Sequence, residues 1–227
     1  MLEEKNSITN ITGEIIEIAG KTALSVIPVG GALITAVWDS IKGNAAQKRM
    51  DEWKCLIEER LSKLELSLED IGNNENFTTA MLCASEMAIK TAEKQKRCYL
   101  ANAVVNAATA ELEESVMMIY LDLVGKYTIW HLKILDFFEN PKKFPGVNES
   151  AYYMGAPSQV LYQVYPELKV NEGLVSKIIK ELYADGMLNT DNMNCMMTGN
   201  GMVASRTTEL GKNFILFLTK ESSSRSN

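Results

Sequence analysis

The sequence predicts a mainly α protein in two parts. An N-terminal helical bundle covers residues 1–125, a smaller helical module with a little β-structure covers 126–221, and a polar, disordered tail is expected at 222–227. Three observations predict this. Apolar residues recur every three or four positions from Met50 onward, the spacing that places side chains on one stripe of a helix. Gly72-Asn73-Asn74 and Gly125 interrupt that pattern, so the chain folds back into a bundle. Beyond residue 126 the pattern changes to short apolar runs divided by Pro141, Pro145-Gly146, Pro166, Gly186 and Gly199-Asn200-Gly201.

The 227 residues, 46% of them apolar, suffice for one large core or two small ones. A formal net charge of −6 argues against a surface that attracts phosphates or anionic lipid as a whole. Most of the acidity lies in the first 125 residues. Cys55, Cys83, Cys98 and Cys195 are widely separated, and no cleavable secretory signal is read ahead of them. They are expected as buried free thiols in a reducing compartment, and the protein as cytoplasmic. One histidine and no CxxC give no reason to expect a metal site or a cofactor.

Residues 1–12 are polar, and the pattern turns apolar from Glu14. Thr22 to Trp38 is uncharged and bounded by Lys21 and Asp39. A spanning helix needs about 20 apolar residues, so this run is short, and Pro28 and Gly30-Gly31 break it further. Two short helices, about 12–27 and 32–43, are expected as a buried hairpin. The sharper alternative is that residues 22–38 leave the bundle and insert into a membrane, with Pro28, Gly30 and Gly31 as the hinge. Met50, Trp53, Ile57, Leu61, Leu64, Leu68 and Ile71 then form one stripe of a long helix. Their spacing departs from a strict heptad, which favours packing within the chain over a coiled-coil seam. A third helix is expected from Glu75 to about Glu93, with Phe77, Met81, Ser85, Ala88 and Ala92 inward. The run Glu93-Lys94-Gln95-Lys96-Arg97 reads as solvated surface. A fourth helix covers Cys98 to Ala108, and a fifth begins near Glu111 with Val116, Ile119, Leu123 and Val124 inward.

In the second part Thr128 reads as the N-cap of a helix ending at Glu139. Ile129, Trp130, Leu132, Leu135 and Phe138 are expected inward, with His131 partly buried and bonded to backbone. A loop over Lys142 to Tyr153 leads to a short helix, Gln159 to Tyr165, capped by Ser158 and ended by Pro166. Asn171 caps Glu172 to Ala184, whose inward residues are Leu174, Val175, Ile178, Ile179, Leu182 and Tyr183. Gly186 closes that helix, and Met187-Leu188 begins a strand. Gly199-Asn200-Gly201 is expected as a positive-φ hairpin tip, with Met202 to Thr207 as the return strand. Thr208 then caps a last helix, Glu209 to Leu218. Met193, Cys195, Met196 and Met197 could hold a soft ion such as Cu(I), but pliable packing or partner contact is the expected use.

The run KIIKELYADGMLNT, the glycine hairpin and RTTELGKNFILFL together resemble the C-terminal winged helix-turn-helix of many bacterial regulators. From Phe77 onward the chain also resembles a group of small uncharacterised bacterial proteins. They share an apolar Gly/Pro N-terminus, a charged long helix and a winged-helix end. The resemblance implies a C-terminal winged helix with a small β-wing, and it implies structure rather than chemistry.

No nucleophile–base pair, metal cluster or phosphate loop is read anywhere, so no enzyme is expected. Three roles remain. The first is an adaptor whose winged helix docks a protein partner or a second copy. The second is a dimeric DNA-binding regulator. The third is a membrane-active effector using residues 22–38. Contacts to partner or DNA are expected from Asn171, Ser176, Lys177 and Lys180 on the presumed recognition helix, and from Arg206 on the wing. Glu172, Glu181 and Asp185 offset those lysines, and residues 126–221 hold ten Lys/Arg against ten Asp/Glu. Phosphate contacts supply most DNA affinity, so this balance puts protein docking first.

Overall fold

The computed structural model describes residues 45–63, 74–109 and 112–219. The protein is mainly helical, with one small antiparallel sheet. It divides into two compact units, one of Met1–Lys126 with Phe217–Asn227 and the other of Tyr127–Leu216.

The first unit holds α1 (Gln47–Leu61), α2 (Glu75–Lys90), α3 (Lys94–Thr109) and α4 (Glu114–Lys126). Helices α2 and α3 pack together at its centre, with α1 against both and α4 chiefly against α2. The α1 stripe buries Met50, Trp53, Ile57 and Leu61, as the spacing requires. Leu64, Leu68 and Ile71, and the apolar run 22–38 with Pro28, Gly30 and Gly31, lie outside the described residues. Trp53 is fully buried, and its indole Nε1 donates to the buried Ser85 Oγ at 2.9 Å. Asn74 caps α2, its side chain accepting from the Phe77 amide at 2.9 Å. The small residues Ala101, Ala103 and Ala107 of α3 are all buried. No helix among the described residues is long and apolar enough to cross a membrane.

Three expectations need correcting in this unit. Helix α2 stops at Lys90, Ala92 is exposed, and α3 starts at Lys94, so the charged run forms the first turn of a helix. Within it Arg97 is buried: Nη2 donates to Glu52 at 2.6 Å and Nη1 to the Thr91 carbonyl at 2.9 Å. Such a group stays charged inside only because it is paired and hydrogen-bonded. In α4 the buried stripe is Met117, Tyr120, Leu121 and Val124, while Ile119 is 52% exposed. Val116 and Leu123 are half-buried, so the row expected inward lies at the edge of the core instead of in it. The cysteines of this unit are free but none is buried, since Cys55 is exposed and Cys83 and Cys98 half-buried; Cys195 of the second unit is likewise free and exposed.

The second unit begins with α5 (Ile129–Glu139), followed by short 3-10 turns at Pro141–Lys143 and Glu149–Ala151. Next come β1 (Met154–Gly155), α6 (Pro157–Val164), a 3-10 turn (Pro166–Asn171) and α7 (Glu172–Ala184). Strand β2 (Met197–Thr198), the single turn α8 (Gly199–Met202) and α9 (Glu209–Thr219) complete it, the last turn of α9 belonging to the first unit. Helix α5 packs on α7. Leu132, Ile134, Leu135, Phe137 and Phe138 of α5 and Val175, Ile178, Ile179 and Leu182 of α7 are buried.

The sheet differs from the expected hairpin. Strand β1 pairs antiparallel with β2, Met154 opposite Thr198 and Gly155 opposite Met197. Leu188 bridges Thr207 alone, so the expected return strand shrinks to one residue. Gly199 and Gly201 lie in a helical turn without positive φ. Gly199 is glycine because a Cβ there would overlap the Tyr152 carbonyl, while its amide donates to the Tyr153 carbonyl at 2.9 Å. Gly186, by contrast, has φ +74° and closes α7 as expected. Helix α6 starts at Pro157, whose fixed φ suits a first helical position. Ser158 therefore lies inside the helix instead of capping it, and its Oγ donates to Asn194 Oδ1 at 2.7 Å.

Candidate functional site

Helix α7 carries most of the residues singled out from the sequence. Asn171 starts it, its side-chain oxygen accepting from the Leu174 amide at 3.2 Å. Asn171 therefore serves the helix as a cap. Ser176, Lys177 and Lys180 are exposed together on the outer face. With Gly173, Glu181 and Ala184 they line a shallow groove of about 400 Å³. Two residues expected inward flank it instead: Leu174 is 37% and Tyr183 49% exposed. The inward stripe is only Val175, Ile178, Ile179 and Leu182, which leaves apolar surface outside.

The face is nearly charge-balanced. Lys177 Nζ lies 2.5 Å from Glu181 Oε1, one helical turn on. The other carboxylate oxygen, Oε2, lies 2.9 Å from Nε2 of His131, which is 7% exposed behind the helix. The Lys177 hydrogen bond first, then that of His131, lowers the Glu181 carboxyl to about 2. His131 Nδ1 accepts from the Thr128 amide at 3.3 Å and lies 2.9 Å from the Thr128 hydroxyl. The imidazole thus takes the place that Glu holds in a capping box. Tyr127 stacks on the imidazole, with ring centres 5.0 Å apart, and donates its hydroxyl to Asp185 at 2.8 Å. Burial, and then Asp185, hold the Tyr127 phenol protonated well above its usual range.

Arg206 does not join this face. Arg206 is half-buried, and its Nη2 donates to the Gly201 carbonyl and toward Met197 Sδ. The methionine-rich stretch divides between packing and surface: Met193 and Met202 are buried, and Met196 is 70% exposed. Among the described residues no cluster of His, Cys, Asp and Glu is placed to hold a metal ion. The sequence reading named Glu181 only as an offset to the lysines and His131 only as a half-buried ring. Their partnership spans 50 positions and carries no local signal. Comparison of the chain with protein-family models, curated proteins and solved structures finds no match.

Proposed function

We propose that Tyr127–Leu216 is a winged-helix module that docks a protein partner through α7, a second copy of this chain being the first candidate. The element order supports the winged-helix part: helix α5, strand β1, helices α6 and α7, then a strand that returns to pair with β1. One observation carries the docking part. The outer face of α7 is a small-residue groove with apolar flanks, and its charge is largely self-neutralised. A phosphate-binding helix needs available cations, whereas Lys177 is paired with Glu181 and Arg206 donates to the Gly201 carbonyl. Exposed Leu174 and Tyr183 are the kind of apolar and aromatic anchors that interfaces use.

Sedimentation equilibrium tests this reading. The expected result is a concentration-dependent dimer whose dissociation constant rises about tenfold or more in Tyr183→Asp. A monomer at every concentration removes the second copy as partner. Retention of low-salt DNA fragments in a gel, lost in Lys177→Glu and Lys180→Glu, turns the assignment toward a DNA-binding regulator.

A further inference from the structure

We infer that His131 is a proton-driven regulator of the α7 face, acting on Lys177 through the shared carboxylate of Glu181. The consequence for docking rests on the function proposed above, whereas the coupling itself does not. Glu181 divides its two oxygens between a buried imidazole at 2.9 Å and an exposed ammonium at 2.5 Å. Because Nδ1 accepts from the Thr128 amide, the proton of the neutral ring sits on Nε2, facing Glu181. Protonation adds a hydrogen at Nδ1. The Thr128 hydroxyl, 2.9 Å away, can rotate from donor to acceptor there, while the Thr128 amide loses Nδ1 as its acceptor.

What changes is the charge facing Glu181. A carboxylate that neutralises a buried imidazolium holds an exposed ammonium less strongly. Lys177 is then released into the groove beside Lys180, and the face becomes more cationic. Tyr127, backed by Phe214, stacks on the imidazole, and Asp185 receives the Tyr127 hydroxyl. Histidine is the side chain whose unperturbed charge change falls between pH 5 and 8. Two copies meeting through the α7 face repel each other more on the acid side.

The chain's single histidine makes the test direct, because only one imidazole signal appears in an NMR titration of the full-length protein. The Lys177 Cε–Hε signal is expected to shift with the same midpoint as the ring. Lys177→Met should raise that midpoint, and Glu181→Gln should lower it by about one unit. In the Glu181→Gln background Lys177→Met should have no further effect, as reciprocal linkage requires. A Lys177 signal that stays flat across the ring titration overturns the coupling, as does a Lys177→Met shift that persists without Glu181. Sedimentation at pH 8 and pH 6 adds the docking arm. Dimerisation several-fold weaker at pH 6 in wild type but unchanged in Glu181→Gln supports regulation of the interface. A monomer at both pH values removes the docking reading, and the titration alone then decides the coupling.

Discussion

Trp53 and Ser85 show how one polar atom fixes the first unit. The indole is the largest fully buried side chain among the described residues, and its only polar atom ends on a hydroxyl that is itself fully buried. A buried N–H without a partner costs about 1–3 kcal/mol, which is more than the bond contributes when formed. Ser85→Ala is therefore expected to lower unfolding free energy by roughly that amount, although it adds no bulk and deletes one atom. Urea denaturation followed by far-ultraviolet circular dichroism measures this. A stability within a few tenths of a kcal/mol of wild type would mean that another group satisfies the indole. The sequence placed Ser85 inward on its spacing alone. It placed Arg97 wrongly, because a charged run says nothing of the Glu52 that receives one of its members.

At the scale of elements, helices were readable and the sheet was not. Asn74, Thr128, Asn171 and Thr208 each stand where a helix starts, because a short side-chain oxygen can satisfy an amide that the helix leaves unbonded. Strands β1 and β2 are two residues each and lie far apart in sequence, so no alternation marks them. Of the two glycines that read as a turn, Gly199 serves close backbone approach instead, while a Cβ at Gly201 would press only on the Met197 side chain. The α7 face was half legible: lysine positions followed from periodicity, but the outward turn of Leu174 and Tyr183 depends on where α5 packs. The link between α5 and α7 predicts an acid response. Glu181 is held to about 2 against an ordinary 4.5, so its stabilising contribution is complete above about 4.5 and is lost as pH falls from there toward 2. Wild type should lose urea resistance over that window more steeply than Glu181→Gln. Parallel pH profiles for the two proteins would mean that the pair does not stabilise the fold.

At the scale of the whole molecule, the first unit is not contiguous in sequence. It contains Phe217 onward, the end of a helix that begins in the other unit. Two α3 side chains receive that end: Asn106 Nδ2 donates to the Phe217 carbonyl at 2.7 Å and Asn102 Nδ2 to the Leu218 carbonyl at 2.8 Å. Carbonyls in the last turn of a helix have no partner within it, so these amides act as a C-cap supplied from more than a hundred residues upstream. Phe217 and Leu218 are buried, and Phe217 meets Tyr120 with ring centres 5.4 Å apart. Removing the chain after Leu216 therefore strips the first unit of two core side chains and of the carbonyl to which the buried Asn106 amide donates. Losing each such side chain costs about 2–5 kcal/mol, a large share of the stability of a domain this size. The expected outcome is loss of amide hydrogen-exchange protection across α3 and α4. Protection in α7, which packs on α5 within the second unit, should persist. Equal protection of α3 with and without the last turn would mean that the first unit closes on its own. Loss in both α3 and α7 would mean that the two units unfold together.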